Sequence, residues 1–134
     1  MFRNGAIEAV EAWMLGDARE ERGGAIPSVS FEKALFEALG LYLQLTRILS
    51  LSPPYVLALS LLDVRGLRMG VDQGRHFEGN HGIDRDDLLV PEILIENDTL
   101  HPATIIKPAI DAIWQATGWP GSANYDENGA WHDR

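Results

Sequence analysis

Apolar positions recur at three- and four-residue spacing through Phe31, Leu35, Ala38, Tyr42, Leu45 and Leu49, the period of a helix with one face turned inward. Phe36, Leu43 and Ile48 lie beside that stripe and widen it, so this helix is expected to pack on a sheet along most of its length. Ser30 is placed to cap its start, and Glu32 sits in the first turn, where the helix dipole favours a carboxylate. Ser52-Pro53-Pro54 stops it. A second helix is expected within ATIIKPAIDAIWQATG, with Ile106, Ile110, Ile113 and Trp114 as its buried stripe. Pro108 belongs in the first turn or at a kink, Gly118 suits the position just past the C-terminus, and Pro120 follows.

Between the helices the period changes to two. YVLALSLLD, residues 55 to 63, is apolar on both alternating faces, the pattern of a central strand covered on both sides. Val64-Arg65-Gly66 turns the chain into LRMGV, where Leu67, Met69 and Val71 oppose Arg68 and Gly70, as in a hairpin partner with one solvated face. LLVPEILIEN resumes the strand pattern, and Pro91, which has no ladder donor, puts it at an edge or a bulge. Near the start, Asn4-Gly5 is a hairpin-turn signal. The following AIEAVEAWML has helical content and spacing at Ile7, Val10 and Met14, yet its place after that turn favours a strand, the reading adopted for residues 5 to 15. GDAREERGG, residues 16 to 24, reads as a charged loop without the lysine and glycine spacing of a phosphate loop. The order implies an α+β fold: a small, mostly antiparallel sheet of about four strands with two main helices packed on it. One domain covers residues 1 to 120, and an irregular tail covers 121 to 134.

Composition narrows the chemistry. At 134 residues with 46% hydrophobic and 23% charged positions, the chain can bury a core without staples. It has no cysteine, which removes disulfides, thiolate metal sites and cysteine nucleophiles. No apolar run is long enough to span a membrane, and the glutamates in the first apolar stretch exclude a signal peptide, so the cytoplasm is the expected compartment. A formal net charge of −9 argues against nucleic acid as a partner of this chain alone, because phosphate neutralisation needs a basic face. Arg65, Arg68 and Arg75, with the tail aromatics Trp119, Tyr125 and Trp131, are the only candidate contacts for a nucleotide, a nucleic acid or a partner. The tail is read chiefly as anchored by its aromatics to its own domain or to a neighbour, since Asp126 and Glu127 lie beside them.

The densest polar stretch is QGRHFEGNHGIDRDD, residues 73 to 87. His76, Glu78, His81, Asp84, Asp86 and Asp87 are all competent ligands, and a metal-dependent hydrolase would be centred on His76, His81, Asp84 and Asp86. The spacing from His76 to His81 is not that of a helical zinc pair, and no calcium-loop pattern is present. The preferred reading is a glycine-rich connection in which Asp86 or Asp87 caps local backbone. Asp63, Asp72, Asp84, Glu92 and Glu96 could gather at strand ends, but PEILIEN has no lysine two residues after a glutamate, as a helix-plus-meander nuclease needs. No G-x-S-x-G elbow exists, and no cofactor is implied.

Taken in order, FRNGAIEAVEAWML, IPSVSFEKALFEAL, PPYVLALSLLDVRGLRMGVD, IDRDDLLVPEILIEN and PAIDAIWQATGWPGSANYDENGAW resemble the C-terminal region of bacterial ATP-binding or DNA-binding proteins of the Schlafen/AlbA-like kind. The resemblance covers nearly the whole chain. It implies a non-catalytic accessory domain, truncated at its N-terminus, for interaction or sensing beside an upstream nucleic-acid-acting domain. The family's acidic Glu-Phe-Lys-type motif belongs to that upstream domain and does not occur here, so no catalytic residue carries over. The implied partner is the upstream domain or another protein, through the edge strand at Pro91 to Glu96 or by self-association, with Arg65 and Arg68 as local charge contacts.

Overall fold

The computed structural model describes residues 5–20, 23–72 and 74–133. Asn4 of the expected turn, Glu21 and Arg22 of the charged segment and Gln73 of the polar stretch lie outside them. The elements are α1 (Trp13–Glu20), β1 (Ala25–Pro27), α2 (Ser28–Ile48), β2 (Tyr55–Leu57), β3 (Ser60–Leu61), β4 (Arg68–Gly70), β5 (Leu88–Leu89), β6 (Ile93–Ile95) and α3 (Pro102–Ala116). This is an α+β fold in which two of three ladders are antiparallel, as the sequence implies. The strands form three two-stranded ladders, so the sheet is divided.

The first departure is near the N-terminus. Residues 5 to 12 form no strand, and residues 13 to 15 of that expected strand are helical. Of the charged segment 16 to 24 expected as a loop, residues 16 to 20 complete the helix α1, while 23 and 24 form a turn. The Glu11 carboxylate explains the helix start: its Oε1 accepts from the Trp13 amide at 2.7 Å, as a cap does. Ala18 is the one residue of α1 that is fully buried, and the charges around it face water. The Arg19 guanidinium holds the helix down by donating to the Asp63 carbonyl, with the Asp63 carboxylate 3.4 Å away.

The long helix starts two residues before Ser30, with Pro27 as its N-cap. Its buried stripe runs through Glu32, Phe36, Leu39, Leu43 and Thr46, whereas Leu35, Ala38, Tyr42 and Leu45 are half-buried and Ile48 and Leu49 are exposed. The cause of this shift is that Glu32 and Thr46 are polar residues on the inward face, so apolar spacing alone points one column aside. The helix ends at Ile48, before the prolines, with Ser50 in the left-handed region at φ 55°. The α3 helix carries the expected buried stripe, since Ile106, Ile110, Ile113 and Trp114 are buried, and Gly118 follows the cap with φ 91°. Pro108 lies inside the helix and not in its first turn, because the helix begins at Pro102. The two long helices pack on each other and supply nearly half of the core, the rest coming from the strands, the loops, α1 and the tail.

Strand partners are the second departure. LRMGV does not return along the preceding strand as a hairpin. Its strand β4 runs parallel to β1, with Ile26 opposite Met69 and Pro27 opposite Gly70. The expected face alternation survives: Leu67 and Met69 are buried and Arg68 is exposed. The apolar run 55–63 pairs instead with the later segment, β2 with β6 and β3 with β5, both antiparallel. Pro91 falls in the gap between β5 and β6, and the Val90 amide donates across that gap to the Leu59 carbonyl at 3.0 Å. The tail has irregular backbone but belongs to the core. Tyr125 and Asn124 are buried, and Tyr125 bridges Trp131 in a short antiparallel contact.

Candidate functional site

The polar stretch is a loop fastened at many points. The His81 amide donates to the Thr117 carbonyl at the end of α3 (2.9 Å), Asn80 Nδ2 donates to the Met69 carbonyl (2.9 Å), and the Phe77 and Trp119 rings lie 4.8 Å apart. Gly118 allows this docking, since a Cβ there would stand 2.1 Å from the Gly79 carbonyl oxygen. The candidate ligands are engaged separately or face water. Asp86 binds Arg65 at 2.7 Å, Asp84 binds Arg85 at 2.8 Å, and Asp87 accepts from the Asp63 amide at 3.1 Å. Hydrogen bonds from Arg65 and Arg85 hold the Asp86 and Asp84 carboxyls below the usual carboxylate range. His76 and Glu78 are exposed, and the His81 ring contacts the neighbouring Gly82 carbonyl through Nδ1. Among the described residues, no group of three or more histidine, aspartate or glutamate side chains is placed to hold a metal ion.

The arginines and the tail tryptophan go to different places. Arg65 is bound to Asp86 and to the Asp84 carbonyl, and Arg68 donates to the Gly23 carbonyl at 3.2 Å. Arg75 donates through Nη1 to Asn124 Oδ1 (2.9 Å) and to the Ala123 carbonyl (3.3 Å). Trp131 is no open platform: its ring meets Phe36 edge-on at 4.9 Å, and its indole N–H donates to Glu32 Oε2 at 2.7 Å.

Glu32 is the residue that sequence reasoning placed only at a helix start. It is fully buried, and its oxygens accept four hydrogen bonds: Oε1 from Trp114 Nε1 and Ser122 Oγ at 2.6 Å each, Oε2 from Trp131 Nε1 at 2.7 Å and Asn124 Nδ2 at 3.0 Å. All four donors are neutral. The balancing cation is one step away, since Arg75 donates to the same Asn124 amide that donates to Glu32. This network ties α2, α3, the loop and the tail together, and it leaves the carboxylate no free lone pair for acid–base or metal chemistry. The readable signal was the coincidence of a glutamate on an apolar helix with a tail rich in N–H donors, but nothing in one sequence pairs them.

One surface feature without an internal role among the described residues is the outer face of the β2–β6 and β3–β5 ladders. Along residues 54 to 62 exposed and covered positions alternate: Val56 and Leu62 face out, while Tyr55, Leu57 and Leu61 face in. Val56 and Leu94 are direct cross-strand partners, and they are 64% and 59% exposed. Leu62 at 63% and Leu89 at 73% extend the apolar face. Glu92 and Glu96, two residues either side of Leu94 on the same strand face, are exposed acids at its rim. No helix among the described residues is long and apolar enough to cross a membrane. No protein-family model matches the chain, and no curated protein or solved structure matches it either.

Proposed function

We propose that this chain is a non-catalytic interaction domain of a cytoplasmic bacterial protein, and that it docks a protein partner on the outer face of the β2–β6 and β3–β5 ladders. One observation carries the reading. The run 55–63 has the composition of a strand buried on both faces, yet this fold covers only one of them, leaving Val56, Leu62, Leu89 and Leu94 exposed together. Apolar side chains exposed along one strand face, with acids at its rim, mark a protein contact. The acidic rim at Glu92 and Glu96, on a chain of net charge −9, favours a partner surface that is apolar at its centre and basic at its edge. The resemblance to the C-terminal region of Schlafen/AlbA-like proteins supports the same role beside a nucleic-acid-acting domain. The internal consumption of Glu32, and of the loop aspartates in ion pairs and caps, supports a non-catalytic reading.

A photo-crosslinking residue at position 94, incorporated in the source cell, tests this. A defined protein adduct at position 94, absent from the exposed control position Glu127 and lost when Leu89→Lys is added, is the expected result. Adducts no stronger than the control, or adducts chiefly to nucleic acid, would sink the reading.

A further inference from the structure

We propose that the pocket at the carboxyl ends of β1 and β4 binds a phosphate group. The two strands run parallel, and α2 begins at Ser28, directly after β1 ends at Pro27. The fold thus aims a helix N-terminus at the end of a parallel strand pair, where an anion is favoured by the helix dipole and by unpaired first-turn amides. The pocket there measures about 310 Å³ and is lined by Pro27, Ser28, Val29, Ser30, Asp72 and Arg75. Pro27 supplies no side-chain cap, so the amides of Val29 and Ser30 have no acceptor within the helix or from its cap.

Two further observations point to a ligand. Ser28 is only 4% exposed and forms part of the pocket wall, and its hydroxyl has no hydrogen-bond partner among the described residues. The hydroxyl is not one of the fully enclosed unpartnered atoms, so it keeps some accessible surface, and a phosphate oxygen in the pocket could accept from it. Arg75 is the second. Its Nη1 is anchored to Asn124 and Ala123, while Nε and Nη2 hold no bond among the described residues. An anchored guanidinium with a free edge offers paired donors matched to phosphate. Asp72 on the same wall opposes an anion, and it thereby supplies a test of sign.

The test is calorimetric titration of the purified protein with inorganic phosphate and, separately, with ribose 5-phosphate, at an ionic strength fixed with chloride. Saturable single-site binding is expected. Ser28→Ala should weaken it severalfold, Arg75→Gln by about tenfold or more, and Asp72→Asn should tighten it. Arg75→Gln also disturbs Asn124 and through it Glu32, so Ser28→Ala and Asp72→Asn, which leave that network intact, decide the matter if the arginine variant unfolds. Equal affinity for both probes assigns free phosphate, and tighter binding of the ester assigns a phosphate monoester whose sugar uses the remaining volume. No saturable binding of either probe, or an affinity unchanged in both Ser28→Ala and Asp72→Asn, overturns the proposal.

Discussion

Glu32 shows how one residue can hold an irregular tail. Its two oxygens take all four donors offered by Trp114, Ser122, Asn124 and Trp131, so a change of one atom is felt across the network. Glu32→Gln keeps the shape but points an amide N–H₂ at two of those donors. It is expected to destabilise the fold by about 2–3 kcal/mol, read as a lower urea midpoint. Tyr125 offers a pH test. Burial first, then the nearby Glu32 and Asp111 carboxylates, push its phenol well above the ordinary tyrosine value, and its hydroxyl donates to the Ala103 carbonyl at 2.7 Å. The native state therefore favours the protonated phenol, while an unfolded tyrosine ionises near pH ~10. Stability from this group is complete below that pH and falls as pH rises above it. Tyr125→Phe should flatten the alkaline loss in unfolding titrations while costing about 1 kcal/mol at neutral pH for the missing hydrogen bond.

At the scale of elements, junctions matter more than helix or strand interiors. Gly118 ends α3 in a left-handed conformation directly against Gly79 and the His81 ring. Gly118→Ala is expected to cost about 3 kcal/mol or more, combining backbone strain with overpacking, and to undock the loop. Faster hydrogen exchange at the His81 amide, which bonds Thr117, would report that undocking, and unchanged protection would refute it. The tail turn has its own lock. Asp126 accepts from the Asn128 and Ala130 amides and from His132, and these bonds, His132 first, lower its carboxyl below the usual range. A lowered carboxyl contributes while ionised and loses its contribution as pH falls through its folded value. Tail anchoring should thus weaken only on strong acidification, below pH ~4, with Trp131 fluorescence as the probe.

For the whole molecule, the outer ladder face is exposed apolar surface. Val56, Leu89 and Leu94 make no core contribution that depends on their exposed tips, so replacing all three by threonine or serine should change folding stability by no more than about 1 kcal/mol. The same variant is expected to lose partner adducts and any concentration-dependent self-association seen by sedimentation. A large loss of stability instead would mean that the face belongs to this domain's own fold.

Periodicity along the chain determined much of this protein. It placed α3 with its buried stripe and its Gly118 end, the existence of the long helix, the α+β class, the interruption at Pro91 and the apolar double face of residues 55 to 63. Those features depend on which side of a local element is apolar, which neighbouring residues encode directly. What covers each side was decided only by tertiary structure. The β4 strand pairs in parallel with the unpredicted β1, the tail enters the core, a charged segment becomes α1 around a single buried Ala18, and Glu32 turns inward. The physical reason is range. A two- or four-residue period carries no information about a partner many tens of residues away, and a buried carboxylate becomes tolerable only once Trp114, Ser122, Asn124 and Trp131 arrive from the far end of the chain to satisfy it.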